Sequence, residues 1–166
     1  MKPTIAVDLM KKKMYIKDQP VSLCFYDTAG TEKFAAMTDS YFRGAVVAII
    51  MYDVTRRSTF TSCELWLTKL NSLVEENIVK IIIGNKTDIS QEREIPCDEA
   101  ERYARQNDCF FIETSCKNGD NVQKAIDIVI HEGITDKMIS SLKESMSGKI
   151  QPSKPILQEN DDTGCC

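Results

Sequence analysis

The chain has 166 residues and 18.8 kDa, enough for one domain and a tail. Its 42% apolar and 28% charged content excludes a disordered, collagen-like or membrane-embedded chain, and its longest apolar run, Ala45 to Tyr52, falls far short of the roughly 20 residues that cross a bilayer. A net charge of −4 argues against nucleic acid as a partner, and Lys11-Lys12-Lys13 reads as a solvated strand end rather than a phosphate track. Seven cysteines, an odd number without a secretory leader, imply reduced thiols in a cytosolic setting, including Cys24, Cys63, Cys97, Cys109 and Cys116. One histidine, His131, and the lack of a CxxC pair imply no zinc site; His131 itself reads as a helix-surface residue.

Along the chain, residues 5 to 16 and 21 to 27 alternate in the manner of strands. Ile5, Val7 and Leu9 share one face; Val21, Leu23 and Phe25 share another. The polar link Lys17-Asp18-Gln19-Pro20 predicts an antiparallel hairpin. The runs Ala45–Met51 and Val79–Ile83 are nearly continuous in apolar residues, as expected of parallel strands buried on both faces. Phe60, Cys63, Leu67, Leu70 and Val74 form one helical stripe between them. A shorter helix is predicted around Ala100, Tyr103 and Ala104, with Asp98 and Glu99 in its first turn, where the helix dipole favours acids. Cys109–Glu113 reads as a short strand. Val122, Ala125, Ile126, Val129, Ile130, Gly133 and Ile134 mark a last amphipathic helix. This alternation predicts an α/β layered domain over residues 1–136. From Lys137 the periodicity fades into a flexible tail, 137–166, ending in Gly164-Cys165-Cys166.

In such a sheet, ligands bind beyond the carboxyl ends of the strands, and three strand ends here carry polar loops. Asp27-Thr28-Ala29-Gly30 follows the second strand: an Asp there can hold magnesium, and the Gly lets a backbone amide approach a phosphate oxygen. In Asn85-Lys86-Thr87-Asp88, the Asp88 carboxylate can accept paired hydrogen bonds from guanine N1 and N2, a donor pair that adenine lacks. The Lys86 stem can cover the base or ribose, and Asn85 can tie loops together. Ser115-Cys116-Lys117 would close the other side of the base. Each loop alone could be a surface turn; their order and spacing, 85 − 27 = 58 and 115 − 85 = 30 residues, make coincidence a poor account.

With Tyr41-Phe42-Arg43-Gly44-Ala45, Tyr52-Asp53-Val54-Thr55 and Glu113-Thr114-Ser115-Cys116-Lys117, these loops make the chain resemble the Rab branch of the Ras superfamily of small GTPases, from about Pro3 to Ile134. The resemblance implies a three-layer P-loop NTPase-like G domain with a mostly parallel sheet, and a GTP/GDP switch using Mg2+ in vesicle traffic. It implies Thr4 and Asp27 on magnesium and Thr4 and Gly30 on the γ-phosphate. For guanine it implies Asn85, Lys86, Asp88, Ser115, Cys116 and Lys117. Leu9, Tyr26 and Tyr41 match an exposed effector-binding set, with core packing as the plain alternative for the two tyrosines; Phe34 is either switch packing or core. The terminal Cys165-Cys166 looks like a double geranylgeranylation signal. It implies Rab escort and prenylation machinery, effectors and regulators as partners, on the cytoplasmic face of intracellular membranes with a cytosolic pool. Between residues 137 and 166 four Lys meet four acidic residues, so the tail offers no polybasic second anchor.

The resemblance also implies a central strand, a phosphate loop G-x-x-x-x-G-K-[ST] and a first helix, and none of the seven glycines supplies that loop. Gly148-Lys149 is followed by Ile150. The expected G domain therefore lacks its first strand, phosphate loop and first helix, leaving two strand edges unpaired. Losing four or five charge-assisted bonds of about 1.5–3 kcal/mol each would weaken nucleotide binding by at least ~6 kcal/mol. Thr31 stands where the family usually has a water-orienting Gln, so hydrolysis is expected to be weak as well. The alternative reading is a non-catalytic, lipid-anchored interaction module or a non-functional fragment.

Overall fold

A hairpin opens the fold: β1 (Val7–Ile16) pairs antiparallel with β2 (Gln19–Thr28), in register from Val7↔Thr28 to Ile16↔Gln19. The structure, a computed structural model, describes residues 7–28, 41–42, 44–74, 78–134 and 138. The elements belong to one compact unit, Met1–Thr135; of the second, Asp136–Cys166, Met138 alone is described. The hairpin turn is shorter than the predicted four-residue link. Lys17 and Asp18 take φ of 50° and 61°, the left-handed pair whose twist matches the strands, while Gln19 and Pro20 join β2. Val21, Leu23 and Phe25 lie half-buried on one face with Met14; Leu9 and Tyr26 face the other way and are exposed.

The second sheet is parallel, in the order β3 (Val47–Asp53), β4 (Val79–Asn85), β5 (Phe110–Glu113). Helix α1 (Arg57–Leu73) connects β3 to β4, α2 (Cys97–Gln106) connects β4 to β5, and α3 (Val122–Gly133) follows β5. Strand alternation splits the core into two layers. Ile50, Tyr52 and Ile82 pack with Phe60, Cys63 and Leu67 of α1 and Ala100 and Ala104 of α2. Ile81 and Ile83 pack on the opposite face with Ala125 and Val129 of α3. The result is helix, sheet, helix, as the sequence pattern predicts. Tyr52, Phe60 and Tyr103 form an edge-to-face chain, with centroids 5.0 and 5.3 Å apart.

One expectation fails. Strand β4 is buried on both faces, but β3 is buried on one: Ile49 and Met51 are 38% and 51% exposed. The physical reason is coverage. Helix α3 lies over β4 and meets the start of β3 at Val47, where a Cβ on Gly133 would collide with the valine side chain. Among the described residues no other helix covers Ile49 and Met51. Nor does any ladder among the described residues join the hairpin to the three-stranded sheet, so the described strands form two sheets.

Candidate functional site

Because β3, β4 and β5 are parallel, their carboxyl ends and following loops gather on one rim. Asn85 ends β4 and faces Asp53 in register, while Gly84 faces Glu113. The Asn85 side chain bridges the two loops. Its Oδ1 accepts from Lys86 N at 2.7 Å and from Cys116 N at 3.3 Å, and its Nδ2 donates to Cys116 Sγ at 3.3 Å. Ser115 is fully buried and donates from Oγ to Asp88 Oδ1 at 2.5 Å, while Lys117 N donates to the same hydroxyl at 3.2 Å. Lys117 Nζ lies 3.6 Å from Asp88 Oδ2. Backbone bonds from Thr87 N to Thr114 O and from Thr114 N to Gly84 O close the pair of loops.

The second loop is stiffened locally: Gly119 N donates to Ser115 O, Ser115 N to Asp120 O, and Asn121 Nδ2 to Glu113 O. Gly119 takes φ of +86°, a left-handed turn position suited to glycine. Arg93 grips Glu113 with both guanidinium nitrogens, at 2.6 and 2.9 Å, fixing the end of β5. Electrostatically, the hydrogen bond from Ser115 holds the Asp88 carboxyl below its ordinary value against desolvation, with Lys117 adding to the effect. Asp88 is therefore a carboxylate at neutral pH, and its oxygens keep lone pairs beyond those already engaged. Lys86 sits in the left-handed region at φ 72°, and its Nζ reaches Asp53 Oδ2 at 2.5 Å.

The sequence matches the Ras family over residues 1–135. It is 36% identical to the Ras-related protein RABA4a of Arabidopsis thaliana, over 99% of this chain and 79% of that protein. It is 35% identical to the Ras-related protein RABA6b of the same plant, over 98% of this chain and 75% of that protein. Identity to the human Ras-related protein Rab-4B is 43%, over 74% of this chain and 57% of that one. This chain belongs to the Rab branch of the Ras superfamily.

Within this Rab-branch domain the structure brings Asn85, Lys86, Asp88, Ser115, Cys116 and Lys117 together. Of the expected magnesium and phosphate set, Asp27 is among the described residues. Asp27 lies exposed near the end of β2, opposite Asp8, but Thr4, Gly30 and Thr31 fall outside the described residues, as do Ile5, Phe34, Cys165 and Cys166. Leu9 and Tyr26 are cross-strand partners, and the Tyr26 and Tyr41 rings lie 4.9 Å apart, with all three residues exposed. Phe42 beside them stacks under Lys69 of α1, 5.5 Å from its ring centroid. No described helix is long and apolar enough to cross a membrane. Sequence reasoning gave Asp53 no role at the site. The available signal was an acid closing an apolar strand, one parallel neighbour away from Asn85.

Proposed function

We propose that this Rab-branch chain is a small GTPase of membrane trafficking whose rim loops recognise guanine. The supporting observation is the Asp88 carboxylate held by buried Ser115, beside the Asn85–Cys116 bridge. Asp88 accepts from guanine N1 and N2, the Lys86 stem and Lys117 flank the base, and a backbone amide of the Ser115-Cys116-Lys117 loop meets its O6. Thr4 and Asp27 would hold magnesium, which neutralises phosphate charge when bound, and Thr4 and Gly30 would meet the γ-phosphate. The G domain spans 1–136 and the tail 137–166. Cys165 and Cys166 take two geranylgeranyl chains through Rab escort and prenylation machinery, anchoring the protein to the cytoplasmic face of intracellular membranes, with a cytosolic pool. The exposed Leu9, Tyr26 and Tyr41 cluster supports docking of effectors and regulators.

We further infer that the 166 residues alone hold phosphates weakly and hydrolyse GTP poorly, since they contain no phosphate loop and carry Thr31 at the water-orienting position. The same feature, with the separation of the two sheets, favours a second reading as a lipid-anchored interaction module or a fragment without activity. Equilibrium binding of fluorescent GDP, GTP and ADP, with magnesium and then EDTA, distinguishes them. Guanine-selective binding supports the switch, and its strengthening by magnesium supports the Thr4 and Asp27 assignment. No binding up to about 100 μM removes nucleotide switching from this chain and leaves the module or the fragment.

A further inference from the structure

Lys86 is anchored at both ends in a way its loop does not explain. Its backbone stands at φ 72°, a region uncommon for a side chain larger than glycine, and Asn85 Oδ1 pins its amide at 2.7 Å. Its ammonium is carried back to the end of the neighbouring strand, where Nζ meets Asp53 Oδ2 at 2.5 Å. The Asp53 side chain is only 10% exposed, whereas that of Lys86 is 51% exposed. The other carboxylate oxygen of Asp53 is already occupied, accepting from Thr55 N at 2.9 Å and Thr55 Oγ1 at 2.7 Å. Thr59 at the start of α1 fixes the same strand end, accepting from Asp53 N at 3.0 Å. One oxygen thus serves the turn after β3, and the other is left to the lysine.

From this geometry we propose that Asp53 is the positioning residue of the base site, holding the Lys86 stem as a fixed wall beside guanine. The role rests on the guanine reading of the rim loops. Asp53 touches no base; it acts through Lys86. A lysine stem has many rotamers, and ordering it only when ligand arrives would cost affinity. Fixing its head on a nearly buried carboxylate spends that entropy in advance. The register pair Asp53↔Asn85 makes the placement rigid, because the acid and the loop it serves close adjacent parallel strands.

The test is a double-mutant cycle in the full chain with Asp53→Asn and Lys86→Gln, read by GDP affinity and by Lys86 amine labelling. Asp53→Asn should weaken GDP binding about tenfold in the natural background and change it little in the Lys86→Gln background. A general structural role would give the same loss in both backgrounds and would overturn the proposal. In the unliganded protein, Asp53→Asn should speed labelling of the Lys86 amine by an N-hydroxysuccinimide ester, located by mass spectrometry, with Lys12 as internal reference. An unchanged Lys86 rate means the ammonium is not held by Asp53, and the proposal fails whatever the affinities. If the natural chain binds no GDP, the guanine reading fails and takes this role with it; faster labelling would then define a purely structural latch.

Discussion

Replacing Gly84 with alanine should damage the fold from its centre. Gly84 lies one residue before the end of β4, between Tyr52 of β3 and Glu113 of β5, and its carbonyl accepts from Thr114 N at 2.8 Å. A Cβ built there would stand 2.6 Å from Tyr52 Oη and 2.8 Å from its Cζ, closer than real Cβ contacts come. The ring has little freedom to retreat, since Tyr52 is 2% exposed and locked edge-to-face on Phe60. Overpacking in such a core costs about 1–3 kcal/mol, and a rigid ring end against a strand paired on both sides puts this site near the top, about 3 kcal/mol. Tyr52→Phe deletes the closer contact but leaves the ring carbon, so it should recover part of the loss and no more. By itself Tyr52→Phe should be neutral or stabilising by up to about 1 kcal/mol, because among the described residues the buried hydroxyl has no hydrogen-bond partner to lose. Urea denaturation of the four proteins in the cycle gives these values directly. A Gly84→Ala variant within about 0.5 kcal/mol of the natural chain, or additivity between the two sites, would refute the packing argument.

Other consequences are open to simple assays. Glu113→Gln should destabilise the domain by about 2 kcal/mol in urea titration, because it leaves the half-buried Arg93 fork without its charge partner. Burial pushes the Cys63 thiol up to about 11, so iodoacetamide at pH 8 should modify the exposed Cys24 and Cys116 in the native protein while sparing Cys63 until denaturant is added. Asp53 is desolvated, yet hydrogen bonds from Lys86 and Thr55 outweigh that and hold its carboxyl below the ordinary value of 3.8. Its stabilising contribution is therefore complete above that unfolded value and is lost as pH falls through the lower folded one. Stability measured across the acid range should fall less steeply in Asp53→Asn than in the natural chain.

The parts of this domain that the sequence makes legible are those where one residue's surroundings are set by its own neighbours. Apolar runs locate β3, β4 and β5, and the α1 stripe of Phe60, Cys63, Leu67 and Leu70 marks the residues that are buried. The two rim loops are equally legible, because Asn85, Lys86, Asp88, Ser115 and Lys117 are polar residues that follow apolar strands, and the structure ties them to one another. What was not legible depends on neighbours across the sheet. Nothing in Ala45–Met51 distinguishes a strand covered on both faces from one covered on a single face; among the described residues, α3 packs on β3 at Val47 and leaves Ile49 and Met51 exposed. The hairpin turn shrank to Lys17-Asp18 because two left-handed residues suit strand twist, a preference that competes with the usual reading of Pro20 as a breaker. For the same reason the sequence shows Asp53 within Tyr52-Asp53-Val54-Thr55 but not its tie to Lys86. Its meaning lies in being one parallel strand away from Asn85 and within reach of a lysine 33 positions later. The chemistry of the rim is thus written locally, but its rigidity comes from pairing between strands. Substitutions on β3 should then act on the Asn85-Lys86-Thr87-Asp88 loop through strand register, with Asp53 as the first place to look.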